Sequence, residues 1–450
     1  MTLKLNKKIF TYLIPFILGI FTSFSLPPYN FILINFITFP ILLLLLISNF
    51  KKKWISFKIG WIFGFGYFIS NLYWITYSLT FYESFKPLIP VALIIIPLFL
   101  GIFYGIVTFF CTFFNLRKNY YTILIFATSF GFIEFVRGSI LTGFPWNLIA
   151  FSWVNYINSV QITSIIGTYS FNLISITIFL LPIVIFFKKN FLFKSISFFI
   201  LLIIIISNHF YGYQKIKNDE KLNTRFKDIT IKVISPKISI NSFFENNNGK
   251  VIIEELINLS NPDPSQKTIF VFPEAVLAGF DFQQLKNFKD IFKNKYSKNH
   301  KIIMGLNTVK ILNNYPKIYN SMVIFDNELN LIKQYDKIKL VPFGEFLPLE
   351  KFFKKFGLKK IGYGYESFSQ GEDRSLVSIK DKNFNFIPLI CYEIIYSGKI
   401  NIKSDKTNFI INISEDGWFG NSIGPYQHFC HTIFRAIEEG KNIIRSANNG

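Results

Sequence analysis

Cys391 closes the apolar string FIPLIC and is followed at once by Tyr392 and Glu393. A thiolate is a strong nucleophile, and a nearby carboxylate and amine can tune it. Two other strings carry reactive side chains. Glu274 follows the apolar run TIFVFP, and YDKIKLVPFGEFLP holds Lys337, Lys339 and Glu345. Together these residue types supply what acyl transfer needs. The thiol attacks a carbonyl, a carboxylate takes the thiol proton, and a cation stabilises the oxyanion. An ordinary thiol is only a few per cent ionised at neutral pH, so the base matters. Taken singly, each residue has a blander reading: a solvated cap, one lysine among many, a cysteine packed as a small hydrophobe. The residues alone leave both Lys337 and Lys339 open as the cation.

Other chemistries are poorly supported. His428 and His431 stand at i, i+3, but no third ligand has zinc-site spacing. No Walker A string or GxGxxG precedes a helix, and GxSxG is absent. Three cysteines, Cys111, Cys391 and Cys430, make no disulfide framework. Cys111 lies in an apolar run and reads as packing. Cys391 and Cys430 could pair in an oxidising compartment, though two thiols in a large domain are a weak argument.

The elements that must position these residues begin near residue 218, where the text turns α/β. Runs rich in β-formers occur at 228–236, 268–274, 301–309, 319–326, 386–392 and 408–413. Charged, helix-like segments such as 249–259 and 283–296 separate several of them. Strands alternating with helices predict a sheet covered by helices.

The first part of the chain is different in kind. Residues 1–208 carry 14 Lys+Arg and 2 Asp+Glu, leaving 48 − 14 = 34 basic and 27 − 2 = 25 acidic residues for the rest. Seven apolar runs, at 9–26, 31–50, 57–80, 88–115, 120–138, 165–187 and 191–208, approach or exceed the roughly 20 residues a membrane helix needs. No small-residue cleavage site follows the first run, which argues against a signal peptide. Lys4, Lys7 and Lys8, then Lys51–Lys53 and Lys58, then Arg117 and Lys118, then Lys188, Lys189 and Lys194 flank every second connection. That pattern predicts a cytoplasmic N-terminus and places everything after residue 208 on the outer face. The net charge of +21 therefore reflects topology rather than a nucleic-acid partner. Glu134 and Arg137 stand at i, i+3 near a span end, before the long connection 139–164 with its GFPWN string. An intramembrane ionisable pair is a candidate site by default, but a local ion pair that orients the helix is the favoured reading.

Four strings carry a resemblance: FPEAV at 272–276, YDKIKLVPFGEFLPL at 335–349, PLICYEII at 388–395 and NISEDGWFGNSIGPYQH at 412–428. They resemble the nitrilase-type Glu–Lys–Cys domain of the carbon–nitrogen hydrolases and, in detail, the bacterial apolipoprotein N-acyltransferase family. The terminal RSANNG fits too, and the Glu134/Arg137 segment with TGFPWN is similar to that family's fifth-span region. The resemblance implies a polytopic helical membrane domain over 1–208. It also implies a periplasmic catalytic domain over 209–450 with a nitrilase-like αββα sandwich. By position, Glu274 matches the general base, Lys337 the catalytic lysine and Cys391 the acyl-accepting nucleophile. Glu345, Tyr392 and Glu393 match supporting residues, and Trp418 and Phe419 a mobile aromatic wall near the lipid entrance. The family's substrate-contacting tryptophan has no counterpart in ISINSFFENN, where Phe243 or Phe244 would stand in. The resemblance also implies last strands and an eighth span beyond Gly450.

The implied reaction is two-step. Cys391 takes an acyl chain from a membrane phospholipid as a thioester. The α-amine of an S-diacylglyceryl-cysteine apolipoprotein then receives it, without metal or nucleotide cofactor. The enzyme is expected in the bacterial inner membrane as a monomer, with no nucleic-acid partner. A membrane-tethered amidase, in which water resolves the thioester, would use the same residues. A transporter with an outer binding domain would need more ionisable residues in the spans than Glu134 and Arg137.

Overall fold

The computed structural model describes residues 2–222, 229–243, 249–277, 280–312, 314–350, 367–400 and 409–449, with the single residues 355, 402 and 407. The chain folds into two compact units. One comprises Met1–Tyr77, Lys86–Leu222 and Ser422–Glu439; the other comprises Ser78–Phe85, Asn223–Asn421 and Gly440–Gly450. Two short stretches thus fold with sequence-distant partners: 78–85 in the second unit and 422–439 in the first.

The first unit is helical. Its elements are α1 (Thr2–Ser23), α2 (Asn35–Asn49), α3 (Lys53–Leu72), α4 (Ile89–Cys111), α5 (Tyr120–Arg137), α6 (Ile157–Val160), α7 (Thr163–Leu180) and α8 (Phe191–Leu222). A helix therefore runs through each apolar stretch. Among the described residues four helical segments are long and apolar enough to cross a membrane: Ile32–Asn49, Glu83–Cys111, Thr163–Phe186 and Phe191–Asp219. Small residues bring backbones together, as membrane helices require. A Cβ on Gly19 would lie 2.1 Å from the Phe63 carbonyl, and one on Gly60 would lie 2.2 Å from the Tyr104 carbonyl. These glycines lock α3 against α1 and α4.

The second unit contains nine described strands: β1 (Thr230–Val233), β2 (Thr268–Val271), β3 (His300–Leu312), β4 (Tyr315–Phe325), β5 (Leu331–Asp336), β6 (Val377–Ile379), β7 (Phe384–Ile390), β8 (Phe409–Glu415) and β9 (Asn442–Asn448). They form a five-stranded sheet in the order β1-β2-β3-β4-β5 and a four-stranded sheet in the order β6-β7-β8-β9. β1, β2 and β3 are parallel, β3–β4 and β4–β5 antiparallel. In the second sheet β7, β8 and β9 are parallel. Alternation along each strand divides the core. Ile269, Val271, Ile303, Met322 and Ile324 face Ile379, Phe386, Ile390, Ile411 and Ile413 of the other sheet. Phe270, Phe272, Ile302, Val323 and Phe325 point the opposite way, onto α9 (Gly249–Ser260), α10 (Phe282–Leu285) and α11 (Lys289–Lys295).

The six β-rich runs all became strands. β5, β6 and β9 are additional. β5 is half exposed and mixes Leu331 and Ile332 with polar residues, β6 is three residues long, and β9 carries Arg445 and Asn448 among its apolar residues. None of these presents a clean period-two signal. The helix expected over 283–296 is broken by a 3₁₀ turn at Lys286–Phe288.

Candidate active site

Each reactive side chain leaves the end of a strand. Glu274 follows β2, Lys337 follows β5 directly, and Cys391 follows β7 directly. Left-handed backbone turns them out of the sheets. Cys391 itself has φ +47°, Ala275 beside Glu274 has φ +51°, and Phe343 ahead of Glu345 has φ +63°. Such conformations cost non-glycine residues free energy and persist only where surroundings impose them. At Cys391 the strand stops and a 3₁₀ turn, Cys391–Ile395, begins, so the thiol sits on the corner. Gly305 in β3 runs beneath Glu274, where a Cβ would come 2.4 Å from the Glu274 Cα; only glycine permits that approach.

The charged centre is a buried lysine between two carboxylates. Lys337 Nζ donates to Glu274 Oε1 and to Glu345 Oε1, each at 3.0 Å. Asn320 Nδ2 donates to the same two oxygens, each at 2.7 Å. The second oxygens are held by backbone: Glu415 N–H donates to Glu274 Oε2 at 2.9 Å, and Val341 N–H to Glu345 Oε2 at 2.8 Å. An ammonium has three donors and a carboxylate oxygen two lone pairs. Two of the Lys337 donors are engaged, and Glu274 Oε2 accepts one bond here, which leaves each group capacity toward the thiol.

The fields match this geometry. Burial opposes the Lys337 charge, but Glu274 and Glu345 outweigh it and hold the ammonium well above its usual range. Burial and the nearby Glu274 push the Cys391 thiol well above the ordinary range, with Lys337 opposing. The resting nucleophile is therefore a protonated thiol that needs a base. Burial likewise raises Glu415, whose carboxyl accepts from Gly417 N–H at 2.9 Å and Asn448 Nδ2 at 2.7 Å.

Glu393 ties the lysine segment to the cysteine corner. Its Oε1 accepts from the Ile338 and Lys339 N–H groups at 3.0 and 3.2 Å, and its Oε2 from the Ile390 N–H at 2.9 Å. The Tyr335 hydroxyl donates to Glu393 at 2.8 Å, and Arg374 pairs with it at 2.9 Å. One fully buried carboxylate thus fixes the residues beside Lys337 and beside Cys391 in a single frame. Lys339 lies half-buried, with its ammonium 5.9 Å from the Tyr396 ring.

Of the remaining expected residues, Tyr392 is buried edge-on to Tyr396, with ring centres 5.4 Å apart. Trp418 and Phe419 are half-exposed in the 3₁₀ turn Asp416–Phe419, and Trp418 meets Phe81 at 5.3 Å. Phe244 lies outside the described residues, as does the Phe243 side chain. Asn320, Tyr335, Arg374, Glu415 and Asn448 hold the site as well; Tyr335, Glu415 and Asn448 lie in strings that carry the resemblance but had no role assigned, and Asn320 and Arg374 lie outside those strings. All three cysteines are free and buried. His428 and His431 belong to α12 (Gly424–Glu439) in the helical unit. His431 Nε2 lies 3.1 Å from the Trp146 carbonyl, and the His428 ring packs on Trp146 at 5.2 Å. Among the described residues no cluster of three or more His, Cys, Asp or Glu side chains could hold a metal ion.

Two family descriptions match the two kinds of sequence. "Apolipoprotein N-acyltransferase N-terminal domain" matches residues 18–181, and "Carbon-nitrogen hydrolase" matches residues 264–450. The apolipoprotein N-acyltransferase of Rickettsia prowazekii is 32% identical over 449 residues, covering 98% of this chain and 86% of that protein. The chain belongs to the apolipoprotein N-acyltransferase family. The family member from Brucella melitensis is 27% identical over 453 residues, covering 97% of this chain and 84% of its own. Among solved structures, Saccharomyces cerevisiae Nit3 of the nitrilase superfamily covers 49% of this chain and 75% of its own, at 18% identity and TM-score 0.32. Membership in the apolipoprotein N-acyltransferase family makes the chain an acyltransferase enzyme with a nitrilase-like α/β domain. The helix bearing Glu134 and Arg137, α5, lies within the matched N-terminal domain.

Proposed function

We propose that this enzyme completes lipoprotein maturation by moving an acyl chain from a membrane phospholipid, through a thioester on Cys391, to the α-amine of S-diacylglyceryl-cysteine apolipoprotein. The observation that carries the reading is the buried Lys337 ammonium held by Glu274 and Glu345, in the same electrostatic neighbourhood as the Cys391 thiol. In the first step Glu274 takes the thiol proton as sulfur attacks the ester carbonyl. Lys337 offers its remaining N–H to the oxyanion of the tetrahedral intermediate. Collapse breaks the ester C–O bond, and Glu274 returns the proton to the departing lysophospholipid alkoxide. In the second step the α-amine attacks the thioester, Glu274 accepts the amine proton, and the thiolate leaves and is reprotonated. No net oxidation occurs, and the activated donor is the phospholipid ester itself.

Glu345 keeps Lys337 oriented, and Glu393 keeps the lysine and cysteine segments in register. Trp418 and Phe419 line the approach of acyl chains, a role Phe244 would share, and Tyr392 supports the nucleophile beside it. Seven membrane spans, a cytoplasmic N-terminus and a periplasmic catalytic domain agree with the alternation of Lys and Arg flanks, and the reaction needs a single copy of the chain. Intact protein incubated with phospholipid vesicles and mapped by mass spectrometry should carry the acyl group on Cys391. An acyl group on Cys430, or label unchanged in Cys391→Ser through another thiol, would overturn the assignment. Free fatty acid in place of acylated lipoprotein, with acceptor present, would favour an amidase.

A further inference from the structure

The β3–β4 hairpin carries an apolar, lysine-flanked tip with no role in the site described. Beyond the site the ladder of the two strands is mainly with each other among the described residues: β2 ends at Val271, opposite Ile303, and the β5 pairing ends at Asp336, opposite Ser321, while Asp281 bridges to Asn307 and the Ser369 N–H donates to the Ile318 carbonyl. The ribbon continues from the Asn307–Asn320 pair to the Leu312–Tyr315 pair. Five residues of strand carry it about 17 Å past Asn320. Asn320 donates to Glu274 and Glu345, so the ribbon projects from the end of the sheet that holds the site.

Its side chains are ill-suited to water. Ile311 is 76% exposed and Tyr315 74%, with Val309 and Leu312 also exposed. Pro316 stands opposite Ile311, and Lys310 opposite Lys317. A two-stranded ribbon with bare apolar faces is marginal in water, and an exposed apolar patch marks a contact surface. The combination fits one surface. Branched aliphatics would enter the acyl boundary, tyrosine would sit at headgroup level, and the exposed Lys317 would reach lipid phosphates, whereas Lys310 turns back to pair with Asp336 at 2.5 Å. The chain itself has helices long enough to cross a membrane, so a bilayer is part of its surroundings.

We infer that the hairpin strand ends 309–312 and 314–317 dip into the headgroup–acyl boundary of the bilayer and steady the catalytic end of the α/β unit where phospholipid enters. This rests on the lipid substrate proposed above, but its first test does not use the reaction. A photoreactive benzoyl-phenylalanine at position 311 of the full chain, reconstituted in phosphatidylethanolamine/phosphatidylglycerol vesicles with radiolabelled phospholipid, should crosslink to lipid upon illumination. The same probe at Val251, exposed on α9, should not. Crosslinks from position 311 only to protein, whether this chain or an apolipoprotein, or none at all, would overturn the inference. In a second measurement, I311D combined with Y315D should slow acylation of Cys391 from vesicles about tenfold, as expected when an interfacial anchor is lost; an unchanged rate would also count against it. Lipid crosslinking together with no acyl group on Cys391 would instead break the proposed reaction while leaving the hairpin contact standing.

Discussion

Two of the buried charge groups in this protein are built to opposite ends. In the helical unit Glu134 and Arg137 sit one turn apart on α5, both fully buried. Arg137 Nε donates to Glu134 Oε2 at 2.9 Å, the Tyr104 hydroxyl donates to Glu134 Oε1 at 2.5 Å, and the guanidinium lies 5.3 Å from the Phe68 ring. Arg137 also donates to the Phe144 carbonyl in the loop that follows. One positive group meets one negative group, and the partners come from the pair's own helix and its packing neighbours. In the α/β unit Lys337 meets two carboxyls, Glu274 and Glu345, delivered by separate segments. There the balance is two to one, and donor and acceptor capacity remains beside a thiol. A matched local pair organises structure; an unmatched cluster assembled across the fold can move a proton.

The largest test of that contrast is Lys337→Ala. Removing the ammonium that pairs with both buried carboxyls deletes the oxyanion donor, so single-turnover acylation of Cys391 from vesicle phospholipid should fall about a thousandfold. Retention within tenfold would mean that the cluster is structural, like its counterpart in the helices. Glu134→Gln should behave in the reverse sense. It leaves Arg137 buried without its counter-charge, a loss of about 3 kcal/mol, read as a lower thermal midpoint in detergent. Acylation per folded molecule should stay within about twofold, the range for changes remote from chemistry. A selective loss of acylation at unchanged midpoint would move Glu134 into the reaction.

How much of this was legible beforehand follows the same line. The three reactive residues could be read because each sits in a compact local string, at the end of a strand whose apolar run is itself visible. The i, i+3 ion pair was legible for the same reason. Asn320 and Arg374 were not. Asn320 is an amide within β4, and its meaning comes from Glu274 and Glu345 arriving from elsewhere. Arg374 reads as a surface cation until Glu393 and Tyr335 surround it. β5 and β9 escaped because edge strands with polar faces lack periodicity, although β5 is the strand that delivers Lys337. The helix 424–439 reads as part of the α/β text and folds with the membrane helices instead. Gln427 there accepts from Trp146 Nε1 at 2.8 Å and donates to Asn71 Oδ1 at 3.1 Å. Long-range polar pairing of that kind leaves no local trace.

A smaller effect concerns the thiol. Because burial and Glu274 hold Cys391 above its ordinary range, its thiolate fraction is low at neutral pH. Alkylation by a small iodoacetamide should therefore be slow at pH 7 and keep rising, close to tenfold per pH unit, through and beyond pH 9, since the thiolate fraction grows tenfold per unit below the pKa. A plateau near pH 8 would mean that Lys337 dominates the local field and that the thiolate forms without Glu274. Glu345→Gln, which removes one of the carboxyls holding Lys337, should leave that rising profile in place.

The smallest expected effect separates two lysines only two residues apart. Lys337 and Lys339 both follow β5, but their side chains have different surroundings. Lys337 Nζ is enclosed by carboxylates, whereas Lys339 Nζ faces the Tyr396 ring at 5.9 Å. What Lys339 gives the site is its backbone N–H, donated to Glu393 at 3.2 Å, and alanine keeps that bond. Lys339→Ala should therefore lose only a weak cation–π contact worth about 0.5 kcal/mol, a change of roughly twofold in acylation. If Lys339→Ala instead matches the collapse expected of Lys337→Ala, the oxyanion donor is the wrong lysine, and the Glu274–Lys337–Glu345 cluster would have to be read as a structural ion pair after all.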